Sequence, residues 1–274
     1  MLRLCIIYNI NKKNSIKYEK WTDGFTSAIN ILKSKYKIDM INSSNNNKIN
    51  FNNYDIIFFK ESFNGNMYKK YKNKIKNKIK GLFISSSNKI PTDNDLKLYH
   101  ILFYETYWYY NYANLLRHKY SYHAFGVDTN IMKQKECVKK YDVIFVGNII
   151  SYKRPLNILK ESGNKICLGF KTDNSLVSEL TKNNVVVKDF IQYNDLANYY
   201  NSSKLCYVPC TIHGGGERSV LEARACGVPV KIEDDNLKLK ELLESQIYSS
   251  VYYSNQIDFG IKTHYENNNN SYYK

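Results

Sequence analysis

The stretch Thr211-Ile-His-Gly-Gly-Gly-Glu-Arg-Ser-Val-Leu-Glu-Ala-Arg-Ala-Cys-Gly-Val-Pro-Val230 decides how the rest of the chain is read. Three consecutive glycines feed into a helical pattern, Ser219–Cys226, that Gly227 and Pro229 stop. Gly214, Gly215 and Gly216 let the backbone approach a ligand closely. The first N–H groups of the helix then meet an anion with the positive end of the helix dipole. Glu222 lies one turn further in, on the side that faces back toward such a ligand. A carboxylate near a phosphate is unfavourable unless it accepts hydrogen bonds, and the vicinal hydroxyls of a ribose would donate two. A nucleotide diphosphate therefore accounts for loop, helix and Glu222 together. An ordinary strand–turn–helix with a surface glutamate accounts for the same residues without any ligand.

On either side of this stretch, short apolar runs alternate with helical patterns. In the second half, strands are expected at Asp142–Val146, Lys165–Leu168, Val185–Val187, Leu205–Val208 and Val230–Ile232. Helices are expected after Gly147 with Pro155 in the first turn, around Leu176, Val177 and Leu180, at Asp195–Tyr200 and at Leu237–Leu243. The first half has strands at Leu2–Tyr8, Lys37–Ile41, Asp55–Phe59, Leu82–Ser85 and His100–Tyr104. Trp21, Phe25, Ala28, Ile29 and Leu32 mark a helix that Thr22 or Asp23 would cap. Tyr68, Tyr71, Ile75 and Ile79 mark a lysine-rich helix over Tyr68–Lys80, and Asn42–Asn53 is a polar loop.

The alternation predicts an α/β chain of two parallel-sheet, Rossmann-like domains facing a cleft. The boundary falls within Tyr122–Lys135, giving domains 1–125 and 126–274, the second ending in a loosely packed tail of ~20 residues. In open parallel sheets, ligands bind beyond the carboxyl ends of the strands. That places Gly147 with Lys153 and Arg154, Phe190–Gln192 and Cys210–Glu217 at a site in the second half. In the first half it selects Tyr8–Asn11, Glu61, Ser85–Ser87 and Glu105–Trp108.

The formal net charge is +15 on 274 residues, but 35 of the 40 basic residues are Lys and there are 35 Asn. A surface selected for phosphates or base edges leans on Arg, whose planar fork binds bidentately. Lys, Asn, Tyr and Ile rising together fit the codon bias of an AT-rich genome, such as a viral one. The skew argues against a nucleic-acid partner. Residues 1–128 carry a net +12 and residues 129–274 a net +3, so the excess sits away from the glycine loop.

The six Cys form no CxxC pair, and several lie in apolar runs, which suits reduced thiols in a cytoplasmic protein. No apolar run approaches the ~18 residues a membrane span needs, and the N-terminus lacks a signal-peptide pattern. Contact with a membrane surface stays open. No metal is expected: Cys206, Cys210 and His213 make a weak zinc set, and Asp93-Asn94-Asp95 follows Pro91-Thr92 as a helix cap would.

The 211–230 stretch resembles the signature of GT-B fold glycosyltransferases, particularly the retaining family 4 group and its relatives. Leu221-Glu222-Ala223, Ala225, Gly227 and Pro229-Val230 match as they stand. Val146-Gly147 with Lys153-Arg154, the run from Val185 through Pro209, and Phe125-Gly-Val-Asp-Thr129 match further family elements in order. The resemblance is strong over 122–232 and faint over 1–121.

It implies a soluble enzyme that moves a sugar from a UDP-sugar or GDP-sugar to a glycan, protein or lipid-linked acceptor, with no cofactor besides that donor. By that likeness Lys153 and Arg154 hold the donor diphosphate, Gly147 and Gly214–Gly216 shape its bed, and backbone N–H groups of Arg218 and Ser219 meet the phosphates. Glu222 holds the ribose, and Phe190 and Ile191 lie along the nucleotide. The family places a sugar-touching Glu where this chain has Gly214, so Glu217 or His213 is the candidate substitute. The usual Gly-Gly loop after the first strand is also missing, with Asn9, Asn11 or Asp23-Gly24 in its place. In a retaining enzyme the departing diphosphate itself takes the acceptor's proton. An inverting one needs a base, for which Asp23, His100 and Glu105 are candidates. The alternatives are a non-catalytic nucleotide or glycan binder on the same fold, suggested by Gly214, and a DNA-modifying glucosyltransferase, suggested by the basic first half.

Overall fold

Every named strand pairing is parallel in the computed structural model, which describes residues 1–9, 22–44, 49–61, 63, 65–84 and 89–269. Asn11, Trp21 and Ser85–Ser87 of the expected elements and sites lie outside the described residues. The chain forms two compact units. One comprises Met1–Trp21, Phe25–Phe125 and Ser250–Lys274; the other comprises Thr22–Gly24 and Gly126–Ser249.

The first unit holds β1 (Arg3–Tyr8), β2 (Lys37–Asn42), β3 (Ile56–Glu61), β4 (Ile79–Ile84), β5 (Ile101–Tyr104) and β6 (Ser121–His123), in the order β2-β1-β3-β4-β5-β6. Its described helices are α1 (Gly24–Leu32), α2 (Asn66–Tyr71), α3 (Asp93–Leu96) and α4 (Tyr107–Tyr112). The strands are apolar on both faces, as a covered parallel sheet requires. One face packs Cys5, Ile7, Ile57, Phe59, Leu82 and Leu102 with Met67, Tyr99 and Tyr109. On the other face Phe83 stacks on Phe103 at 4.9 Å and meets Phe25 of α1 edge-on at 5.0 Å.

Two expectations change here. The lysine-rich segment is not one helix: α2 stops at Tyr71, a 3-10 turn takes Lys72–Lys74, and Ile79 opens β4 opposite Ile56. The Lys residues from Lys70 to Lys80 recur at every second position, which is the period of a strand, and the free edge of β3 supplies the ladder that settles it. The C-terminal segment is a helix, α9 (Ser250–Asn269), packed on β5 and β6 of the first unit rather than a loose tail on the second. Phe259 meets Tyr122 edge-on at 5.5 Å, and Asp258 accepts from Tyr36 Oη at 2.6 Å and pairs with Lys35 at 2.7 Å.

The second unit holds β7 (Tyr141–Val146), β8 (Lys165–Leu168), β9 (Val186–Lys188), β10 (Ser203–Val208) and β11 (Val230–Ile232), in the order β11-β10-β7-β8-β9. Its described helices are α5 (Asn174–Lys182), α6 (Tyr193–Asn201), α7 (Glu217–Ala225) and α8 (Leu237–Glu244). From central β7 the chain winds outward to β9, then returns to β10 on the other flank. The order therefore reverses between β7 and β10, the switch point at which doubly wound sheets bind ligands. The helix expected around Pro155 is instead two 3-10 segments, Ser151–Lys153 and Pro155–Lys160. A residue before proline is disfavoured in the helical region, and Arg154 sits at φ 50° between them. Among the described residues, no helix is long and apolar enough to cross a membrane.

Candidate functional site

The glycine loop leaves β10 beside the carboxyl end of β7. Three bonds lock the two connections together. Thr211 N–H donates to Tyr152 O at 3.1 Å, Lys153 Nζ donates to Gly214 O at 2.6 Å, and Ser219 Oγ donates to Val146 O at 3.0 Å. The loop is also held from below by buried Asn236, whose amide donates to Cys210 O at 2.8 Å and Thr211 O at 3.0 Å and whose oxygen caps α8 at Leu239 N. Gly216 is the N-cap of α7, at φ 105°, and has no side chain with which to cap the helix, while the Glu217 carboxylate accepts from its own backbone N–H in the first turn. A Cβ there would lie 2.7 Å from Val208 Cγ1, so only glycine lets the helix start this close to β10. The N-terminus of a nine-residue helix thus opens at the switch point, with Glu217 in its first turn.

The charges around this opening are arranged in depth. Glu217 and Lys238 form an ion pair at 2.6 Å, with side chains 4% and 1% exposed. Burial pushes the Glu217 carboxyl up, but the attraction and hydrogen bond of Lys238, with help from Lys153, outweigh it and hold the group below its ordinary value. A Cβ on Gly215 would sit 3.3 Å from Lys153 Nζ and 3.6 Å from Glu217 Oε2, so both side chains converge on that glycine. Glu222 is buried and accepts from Tyr200 Oη at 3.0 Å. Burial raises its pKa to about 7, against the pull of Arg218 and Tyr200, with Asp23 adding a push upward. Arg218 in turn pairs with buried Asp23.

The expected site residues divide into groups. Gly147, Lys153, Gly214, Gly215, Gly216, Glu217 and Ser219 come together at the carboxyl ends of β7 and β10. Glu222 and Arg218 lie on the same α7, each with a partner. Arg154 turns to Asp235, 2.5 Å away. His213 is exposed on the loop. Phe190, just beyond β9, stacks on Phe170 beyond β8 with centroids 5.2 Å apart. Phe190 and Ile191 line a separate pocket of about 950 Å³ between the Lys135–Tyr141 segment and α6.

Asp23 falls in the second unit with Arg218, and His100 at the amino end of β5, away from the carboxyl ends where a base would be sought. Glu105 follows β5 at its carboxyl end. Asp95 closes a capping box with Thr92, the helix-cap reading of that motif. Among the described residues, no group of three or more His, Cys, Asp or Glu could hold a metal ion.

Sequence reasoning missed Tyr200, Lys238 and Asn236 as partners in the site. Lys238 carried a signal: four residues before Leu242, it shares the buried face of α8. Asn236 carried another, as the N-cap type before Leu237. Tyr200 carried none, because a tyrosine in an apolar helix face looks like core.

No protein-family model and no curated protein matches this sequence. Solved structures do. HepE from Anabaena, in complex with UDP and glucose, superposes with a TM-score of 0.64 at 11% identity, covering 95% of this chain and 90% of its own. AviGT4, a glycosyltransferase of avilamycin A biosynthesis, gives 0.63 at 10% identity over 96% and 88%. Sucrose-phosphate synthase from Thermosynechococcus elongatus gives 0.60 at 11% over 96% and 90%. The chain has the GT-B fold. At this identity the likeness is one of fold, and it spans both GT-B sheets. The switch point and the glycine loop described above belong to the second of them.

Proposed function

We propose that the chain is a glycosyltransferase that takes its sugar from a nucleotide-diphosphate donor, a UDP-sugar or GDP-sugar, and that the donor binds at the glycine loop of the second unit. The observation that carries this reading is the convergence of Lys153, the glycine loop and the start of α7 at the switch point, with buried Glu222 further along the same helix. The UDP complex of the similarly folded HepE supports it. Lys153 Nζ and the backbone N–H groups of Arg218 and Ser219 meet the diphosphate. Glu222 accepts from the ribose hydroxyls, and those donors favour its ionised form. Arg154 is held by Asp235 and reaches the phosphates only by releasing it.

Cations and N–H groups aimed at the leaving diphosphate supply positioning and charge stabilisation. With both α7 carboxylates engaged, by Lys238 and by Tyr200, the departing diphosphate serves as the base for the acceptor's proton. That outcome retains the anomeric configuration. One observation favours a second reading, a binder without transfer. Gly214 stands where the sugar-touching Glu of similar glycosyltransferases would be, and the nearest substitute, Glu217, is occupied by Lys238.

A nucleotide-sugar panel read by thermal shift tests both. Donor at 100 times its Kd stabilises the fold by ~2.7 kcal/mol, a rise of several degrees at about 2–4 °C per kcal/mol. Lys153→Ala abolishes the shift, and release of free nucleotide diphosphate accompanies transfer. Absence of any shift across UDP-, GDP-, ADP-, TDP- and CMP-sugars and their nucleotides overturns the donor site. A shift without release, with turnover gained in Gly214→Glu, selects the binder.

A further inference from the structure

A second pocket, of about 450 Å³, lies wholly in the first unit, at the amino ends of its strands. His100 immediately precedes β5, and His118 and Tyr120 immediately precede β6. It is therefore at the opposite edge of that sheet from the carboxyl ends where a GT-B substrate is sought. Its lining includes Lys97, Arg117, Lys119, His100, His118 and His264, with one carboxylate, Asp93. Three fixed cations against one carboxylate leave about two positive charges, which matches the charge of roughly −1.5 to −2 of a phosphate monoester at neutral pH.

The arrangement of these groups favours that ligand over a bare surface patch. Arg117 touches Asp93 only at 3.5 Å, with both side chains about two-thirds exposed (65% and 64%). Such a pair contributes little, so the guanidinium can exchange it for a bidentate phosphate. In the same lining, His118 Nε2 donates to Tyr99 O at 2.9 Å, which leaves the lone pair on Nδ1; that atom is buried and makes no hydrogen bond of ordinary geometry, although the Tyr120 backbone as well as that of Tyr99 draws the imidazole's pKa upward. An orphaned buried nitrogen costs free energy until something fills its place.

The imidazoles also face one another and cations. His100 accepts from Lys80 N–H at 3.0 Å and meets His264 edge-on at 5.8 Å, and His264 meets Tyr120 at 4.9 Å. Burial, Lys80 and the neighbouring imidazoles push His100 down to about 4. Burial lowers His118, and burial with His118 and Lys119 lowers His264. An anion in the pocket offsets the repulsion that Lys80, Lys119 and the neighbouring imidazoles exert on one another. The apolar wall of Leu96 and the rings of Tyr99 and Tyr120 suit an organic body behind the charge.

We propose that this pocket binds a phosphate monoester, gripped at the rim by Arg117, Lys97 and Lys119 and at the floor by His118 Nδ1. One proton is shared between Nδ1 and the phosphate, supplied by a monoanionic ligand or taken up by the imidazole on binding. The ester can be a free phosphorylated sugar or the headgroup of a phosphatidic acid.

Calorimetry on the whole chain with glucose 6-phosphate, glucose 6-sulfate and glucose tests it, beside sedimentation with phosphatidylcholine vesicles with and without phosphatidic acid. Expected is binding of the phosphate and sulfate and none of glucose. Arg117→Gln/Lys119→Gln, both on exposed side chains, weakens binding at least tenfold with an unchanged Tm, and Lys153→Ala in the other unit leaves it as it was. Because the sulfate keeps its charge, its affinity rises several-fold as pH falls from 8 to 6, reporting the proton taken up by the pocket's imidazoles. Tighter binding to phosphatidic acid vesicles through the same two residues identifies the headgroup as the source; tighter binding of the soluble ester identifies a metabolite. The proposal is overturned if no phosphate monoester binds at millimolar concentration, if the double variant binds as the parent does, or if the sulfate affinity ignores pH.

Discussion

Glu217 and Lys238 illustrate how much a single buried charge constrains its neighbours. Each is almost fully shielded from water, so each depends on the other. Removing one partner of such a pair costs about 3–5 kcal/mol, while replacing both by apolar residues is often neutral. Lys238→Met should therefore lose that much in denaturant unfolding, and Lys238→Met/Glu217→Leu should recover most of it. A double variant as unstable as the single one would show that Glu217 is needed for its attraction to Lys153 instead. Glu222 gives a pH signature. Its folded-state pKa of about 7 lies above the ordinary 4.5, so between those values the folded chain holds a proton that the unfolded chain has released. Stability then falls as pH rises from about 4.5 to 7, by on the order of 3 kcal/mol from this group. Glu222→Gln should remove that slope and leave the protein more stable than the parent at pH 8, as unfolding at pH 5 and pH 8 would reveal.

Elements are placed by contacts that only backbone can make. Beyond β8, Gly169 runs at φ 151°, and a Cβ on it would lie 2.0 Å from Gly147 O, beyond β7. Gly169→Ala should force these two connections apart, at a cost of about 1–3 kcal/mol from strain. It should also weaken the proposed nucleotide binding at the neighbouring loop, which thermal shift with UDP and without it would separate. The start of α7 was legible within two residues, because a glycine run followed by an apolar period is local chemistry. It begins at Glu217 rather than Ser219, since the Gly216 conformation lets the first turn form earlier. The Tyr68–Lys80 segment was not legible, because its residues satisfy helical and strand periods alike and the choice lay with β3.

At the scale of the molecule, the chain returns to where it began. After the second sheet, α9 packs on β5 and β6, with Tyr253 against Phe25 at 5.8 Å and Asp258 anchored by Tyr36, Lys35 and Lys262. The first unit is thus completed by residues more than 120 positions downstream of β6. A chain ending at Ser249 should leave the apolar face of Phe103 and Tyr122 uncovered and lose the cooperative unfolding of the first unit, while the second unit keeps its own transition. Limited proteolysis and circular dichroism would detect this; a truncated chain with both transitions intact would show that the helix is dispensable. The charge excess belongs to this scale too. It lies in the first half of the sequence, and Lys97, Arg117 and Lys119 of it line the pocket at the amino ends of β5 and β6.

Local sequence set the alternation of parallel strands and crossovers, the glycine loop at the switch point, and the Lys153 and Ser219 side chains that tie the two connections together there. All of these rest on local periodicity, turn chemistry and a motif confined to one segment. Tertiary structure decided which unit owns α9, whether Ile79 extends a helix or opens a strand, and which partners occupy Glu217, Glu222 and Arg154. Those outcomes depend on burial and on pairings between residues far apart in the chain, where the surroundings of a side chain rather than its type set its charge state and its partner.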